Sequence, residues 1–222
     1  MATFSKIYSL AAKRHGGESA VADTLPPIIS DAELRAIPDD RWLSAMAMTI
    51  MRAGFSWKVV ENKWPGFEHA FDGFDPHAIA MYSDDDLARL VSDTSIIRNG
   101  QKITAVHHNA IFLTELIREH TSAGNFFADW PHDDFTGLWA LLHKRGSRLG
   151  GKTAAYFLRQ MGWDAPIMSR DVVAALMREG VVDKPPTSKT ALAKVQAGFN
   201  AWHNESGLPY SHMSRILAMS IG

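Results

Sequence analysis

Gly146-Ser147-Arg148-Leu149-Gly150-Gly151-Lys152-Thr153, running straight into the apolar segment Ala154-Ala155-Tyr156-Phe157-Leu158, reads as a tight hairpin between two helices. Three glycines allow positive φ and close backbone approach, so successive N–H groups can face an anion. At the start of a helix the unpaired donors and the macrodipole both favour negative charge. Lys152 adds a mobile positive charge beside them. Such a hairpin suits the phosphate of a nucleic acid strand, with Arg148, Gly150, Gly151, Lys152 and Thr153 as its contacts. A Gly-rich turn is also ordinary punctuation between helices, so the neighbouring sequence has to decide.

Outward from the hairpin the apolar spacing is helical nearly everywhere. Trp42, Ala45, Met46, Thr49, Ile50 and Ala53 recur at intervals of three and four, the period of one helix face, and strand-like alternation is missing. Ser30 with Glu33 and Ser83 with Asp86 place a hydroxyl three residues before a carboxylate, the capping-box spacing of a helix start. Further helices are predicted over about 99–121, starting near Asn99, and about 132–144, ending at Gly146. Two more begin near Gly151 and Ser169, and 211–218 reads as a final amphipathic helix docked on the N-terminal segment. Pro185-Pro186-Thr187-Ser188 and Asn204-Glu205-Ser206-Gly207 read as connections, and no repeat is visible. The expected fold is all-α: a two-lobed helical bundle with a helix-hairpin-helix motif. It forms a single domain over 1–222, with the hairpin at about 146–153 and an interlobe cleft near 49–57.

With 222 residues the chain is long enough to bury a sizeable core without staples. It contains no cysteine, which excludes disulfides, thiolate catalysis and thiolate-bound zinc. His107 and His108 are adjacent on a helix and diverge, while His69 and His77 flank an aromatic turn, so neither a metal nor a cofactor is expected. No apolar run reaches the ~18 residues of a membrane span, and the N-terminus lacks an export signal; a monomeric cytoplasmic protein is the expectation. The formal charge of −1 neither requires nor forbids nucleic acid, since a local basic stripe can hold a duplex.

A second signal is Arg52-Ala53-Gly54-Phe55-Ser56-Trp57, where a helix ends at glycine and two large rings follow beside a capping serine. Exposed, such rings suit base flipping: one wedges into the gap in the duplex and the other stacks on the extruded base. Buried, they would be a plain core pair.

Together these stretches resemble the DNA-3-methyladenine glycosylase I family of the helix-hairpin-helix glycosylase superfamily. The resemblance runs from Arg52–Trp57 through Phe71-Asp72-Gly73-Phe74-Asp75-Pro76 and Asp85-Asp86-Leu87-Ala88-Arg89-Leu90 to Ile96-Ile97-Arg98-Asn99-Gly100-Gln101-Lys102-Ile103, and continues more weakly through the hairpin. It covers about two thirds of the chain and implies excision of alkylated bases from double-stranded DNA. It further implies that Trp57 lines the base pocket and that Gly54 and Phe55 form the wedge.

The sequence departs from that family in three places. The family's base-reading glutamate falls on Thr49, which carries no charge. The family's zinc set has no cysteines here, and its N-terminal signature is not recognisable around Tyr8 to His15, so the first lobe is expected to be rebuilt. The superfamily's catalytic aspartate aligns with Ser169, with Asp171 two residues on in the same helical turn; both are candidates for the chemistry, and both also suit plain helix capping. Lys152 resembles a superfamily nucleophile as well as a phosphate contact, and the family's hydrolytic chemistry favours the latter. An alkylated purine already carries positive charge and leaves as a neutral base, so weak acid catalysis suffices. The sequence thus leads to a monofunctional glycosylase for alkylpurines, with a non-catalytic lesion-binding protein and a Lys152 lyase as the alternatives.

Overall fold

A computed structural model describes residues 1–221. In chain order its helices are α1 (Phe4–His15), α2 (Glu18–Ala22), α3 (Asp31–Ala36), α4 (Asp39–Arg52), α5 (Trp57–Ala70), α6 (Pro76–Ala80) and α7 (Asp84–Ser92). There follow α8 (Gly100–His120), α9 (Ala123–Asp129), α10 (Phe135–Arg145), α11 (Lys152–Gln160), α12 (Arg170–Arg178), α13 (Lys189–Ser206) and α14 (Tyr210–Met219). Short 3-10 turns at Asp72–Phe74 and His132–Asp134 complete the pattern, and no strand occurs among the described residues. The fold is all-α, as the spacing predicts, and none of its helices is long and apolar enough to cross a membrane.

The chain divides into two compact units. The first comprises 1–28, 131–138 and 162–222; the second comprises 29–130 and 139–161. In the first unit the two chain ends close on each other. The Trp202 indole N–H donates to the Ala2 carbonyl at 3.1 Å, the Phe4 N–H donates to Glu205 at 2.9 Å, and the Phe4 and Trp202 rings lie 5.8 Å apart. Arg14 and Arg178 both donate to the Ser220 carbonyl, tying α1 and α12 to the end of α14. His212 and Arg215 of α14 are engaged by the Pro26 carbonyl and the Thr24 hydroxyl, so this helix docks on the N-terminal segment as expected.

The second unit is built around α4 and α8. Most of α4 is buried, including Trp42, Leu43, Met46, Ala47, Ile50 and Met51, so the face read from the sequence is one part of a wider buried surface; Ala53, taken as part of that face, is exposed just past its end. Trp42 stacks on Phe127 at 4.3 Å and meets Phe157 of α11 edge-on. Arg41 forks onto Glu68 with two 2.9 Å bonds, and Ser44 and the Trp64 indole N–H donate to the same carboxylate. Burial pushes the Glu68 carboxyl up, but these donors outweigh it and hold the group below its usual range.

The helix starts follow local chemistry. Ser30–Glu33 and Ser83–Asp86 form complete capping boxes, and Asn99, Gly151 and Ser169 occupy the N-cap positions of α8, α11 and α12. Two boundaries differ from expectation. Residues 132–134 form a 3-10 turn before α10 begins, and Asn204-Glu205-Ser206 belong to α13, which stops only at the left-handed Gly207 (φ 69°). A polar composition looks like a loop in sequence, yet here Glu205 is spent on Phe4 and Ser206 on the Trp202 carbonyl.

Candidate functional site

Helices α10 and α11 with the turn between them form a helix-hairpin-helix, of which residues 139–160 fall in the second unit. The turn is fastened from beneath by Asn109, which is wholly buried in α8. Its carboxamide oxygen accepts from the Ser147 N–H at 2.7 Å and its NH2 donates to the Ser147 carbonyl at 3.0 Å. Leu149 plugs into the core. Gly146 lies so close to the Leu142 carbonyl that a Cβ would stand 2.7 Å from that oxygen, and Gly151 adopts φ 58°, ψ −129°, a region that side-chain-bearing residues avoid. Gly150 is short of a side chain for another reason: the His143 ring fills the space. Arg148 has φ 58° and donates to Gln101 at 2.5 Å.

This geometry leaves donors unspent. Among the described residues the backbone N–H groups of Leu149, Gly150, Gly151 and Lys152 donate to no protein group, while Thr153 N–H returns to the Gly150 carbonyl at 3.2 Å. They cluster at the N-terminus of α11, the end of a helix that favours an anion. A cavity of about 410 Å³ opens alongside, with Lys102, His143, Arg148 and Thr153 among its walls.

Along α11, Lys152, Tyr156 and Gln160 follow one another at intervals of four and all three are exposed. Tyr156 meets the Trp57 indole edge-on, with centroids 6.2 Å apart and planes at 88°. Gln160 Oε1 accepts from Arg52 at 3.2 Å and lies 3.4 Å from the Thr49 hydroxyl. One helix therefore joins the hairpin to the indole and to the end of α4.

Phe55 and Trp57 are 40% and 51% exposed, which removes the core-pair reading. The loop carrying them turns at Gly54 with φ 78°. Ser56 sits at the N-cap position of α5, but its side chain makes no capping bond, contrary to the expectation from sequence. Beneath the loop lies Lys102, only 6% exposed. Its ammonium donates to the Met51 and Ala53 carbonyls at 3.0 and 2.6 Å and stands 4.5 Å from the Phe55 ring centroid. A cation at the negative end of α4 thus ties off the helix and holds up the ring. Burial, and then Arg148, draw the Lys102 ammonium below the usual lysine range.

Thr49 is 8% exposed, and its hydroxyl donates to the Ala45 carbonyl one turn back at 2.9 Å. The hydrogen a base would need is already used within α4. Ser169 and Asp171 lie in the first unit at the start of α12. The Ser169 hydroxyl accepts from the Val172 N–H at 3.1 Å as an N-cap, whereas the half-exposed Asp171 carboxylate accepts from the neighbouring Arg170 at 3.5 Å. Asn109, Lys102, Tyr156 and Gln160 were not legible as site residues from sequence, although the 152–156–160 spacing was available. No cysteine is present, and no group of three or more metal-ligating side chains occurs among the described residues, so the residues do not fit the zinc site of the resembled family.

Part of the chain matches a known family, and its fold recurs in solved structures. Residues 35–139, from α3 into α10, match the model of the methyladenine glycosylases. The matched segment is 105 of the 222 residues, a little under half of the chain. DNA-3-methyladenine glycosylase 1 of Escherichia coli (strain K12) is 41% identical over 59 residues, 27% of this chain and 32% of that protein. The match thus spans about a third of that relative's length. Among solved structures, a 3-methyladenine DNA glycosylase I shares 24% identity with a TM-score of 0.51, over 65% of this chain and 87% of that one. The enzyme of that name from Staphylococcus aureus shares 22% with a TM-score of 0.51, over 60% and 81%. At these identities the two structures establish a common fold.

Proposed function

We propose that this chain belongs with the methyladenine glycosylases and is a monofunctional DNA repair glycosylase that releases a 3-methyladenine-like alkylated purine from duplex DNA by base flipping. One observation carries the reading. The unspent amides at the hairpin and the exposed Trp57 ring are joined by a single helix, α11, so a gripped phosphate and a stacked base are held in fixed register. Arg148, Gly150, Gly151, Lys152 and Thr153 hold the strand; Gly54 and Phe55 enter the stack; Trp57 receives the everted base, with Thr49 at the edge of the pocket.

The chemistry asked of the protein is small. An N3- or N7-alkylated purine carries a positive charge, so when the C1′–N bond breaks its electron pair stays with a neutral base. Water adds its oxygen to C1′ and gives up a proton. The half-exposed Asp171 is the side chain proposed to stabilise the developing sugar cation, whereas the Ser169 hydroxyl is committed to its helix cap. Lys152 stands exposed and lacks the burial a nucleophilic amine requires, which argues against a lyase step. The proposed enzyme acts as a monomer in the cytoplasm, one chain supplying both hairpin and indole.

The reading is tested by incubating the chain with duplex DNA holding alkylated purines and separating the products. Free methylated base with an intact strand is expected, and Asp171→Asn should slow release by 10-fold or more. A second reading, a lesion-binding protein without turnover, is favoured by the Thr49 hydroxyl being spent on Ala45. Tight binding to abasic-site duplex with no base released at enzyme excess would establish that alternative instead.

A further inference from the structure

The face of Trp57 is already occupied. The Arg52 guanidinium carbon lies over the indole, 4.8 Å from its centroid. Its terminal nitrogens donate to Glu61 at 2.8 Å and to Gln160 at 3.2 Å, while Nε is buried with no hydrogen-bond partner among the described residues. A planar, delocalised cation thus rests on an aromatic face, with a carboxylate and a carboxamide oxygen taking its N–H groups. An N-alkylated aminopurine is also a planar, delocalised cation with N–H donors at its edge, and these three partners would serve it equally well.

We infer that Arg52 is an internal competitor for the base site: it occupies the Trp57 face in the free protein, and a cationic base must displace it and take over Glu61 and Gln160. This rests on the reading of Trp57 as the stacking platform. Glu61, one turn beyond Trp57 on α5, supplies a carboxylate where the α4 residue is an uncharged, internally bonded threonine. The exchange is charge-neutral within the pocket, one cation leaving as another enters. A neutral purine gains no ion pair from Glu61 and so competes poorly with Arg52. The orphaned Nε favours release, because the displaced side chain regains water at that atom. Glu61 thus sets specificity by charge, and Arg52 sets the affinity threshold that an entering base must exceed.

The test uses 1-methyladenosine, which is cationic at neutral pH, and adenosine as its neutral counterpart, both titrated against indole fluorescence with Trp57→Phe as background. Arg52→Ala and the bulk-preserving Arg52→Met should each bind 1-methyladenosine about two- to fivefold more tightly than the parent, the scale of an exposed cation–π contact. Adenosine should tighten by a similar factor yet remain the weaker ligand, because both lose the same competitor, and adding Glu61→Gln should abolish the preference for the cation. Equal or weaker binding of 1-methyladenosine by both Arg52 variants, with base release from alkylated duplex intact in the parent, overturns the competitor role and leaves the proposed function standing. Absence of both nucleoside binding and base release in every protein overturns the two together.

Discussion

The Asn109 carboxamide closes a two-bond ring with the backbone of Ser147, accepting its N–H at 2.7 Å and donating to its carbonyl at 3.0 Å. A helix side chain here does what a neighbouring strand would do in a sheet, and it fixes the hairpin to α8. Asn109→Leu keeps the bulk and loses both bonds. Unfolding should cost about 1–3 kcal/mol less, the penalty of unsatisfied buried groups. Thermal denaturation should show a drop in Tm of about 2–4 °C per kcal/mol, and affinity for duplex DNA should fall with it.

The hairpin glycines should separate by cause. Gly146→Ala places a Cβ against the Leu142 carbonyl, and Gly151→Ala forces a side chain into φ 58°, ψ −129°; each should cost about 1–3 kcal/mol in denaturant unfolding. Gly150→Ala meets only the exposed His143 ring, which can swing away, so its cost should stay below about 1 kcal/mol. Equal costs at all three would contradict the assignment of their roles.

Lys152→Glu should weaken binding to undamaged duplexes of different sequence by similar factors. A phosphate contact carries no base information, and losing one lowers the slope of log K against log salt by about 0.9. Titration over a range of salt concentrations measures both, and an unchanged slope would remove Lys152 from the phosphate contacts.

Much of this was legible in the sequence, and what was not has a common cause. Caps such as Ser30–Glu33 and Asn99 are local, so spacing alone revealed them, and the Gly-rich turn between α10 and α11 could be read for the same reason. Asn109 and Lys102 act on backbone 38 and 49–51 residues away, and nothing in the spacing of α8 signals it. The Arg52 side chain was quoted within a motif, but its place over Trp57 depends on Gln160, 108 residues on. Polar residues at the end of α13 misled because their bonds, to Phe4 and within the helix, are invisible in composition.

Glu68 sets a pH limit on the second unit. Burial pushes its carboxyl up, while Arg41, Ser44 and Trp64 more than offset this, leaving it below the usual glutamate range. A carboxyl depressed in the folded state contributes stability that is complete above the unfolded value of about 4.3 and is lost as pH falls through the folded one. Glu68→Gln should therefore be less stable than the parent near neutral pH by about 1–2 kcal/mol, given a partly exposed Arg41. The difference should shrink as unfolding is followed from pH 6 toward 3.

If an everted alkylpurine stacks on Trp57 while the hairpin holds the strand, single-turnover base release separates the two roles. Lys152→Glu should reach nearly the parent rate once protein is raised to saturation. Trp57→Ala should remain about 5- to 100-fold slow at any protein concentration, the scale of one lost base stack, while its exposed position leaves Tm unchanged. Release by Trp57→Ala at the parent rate would contradict the account.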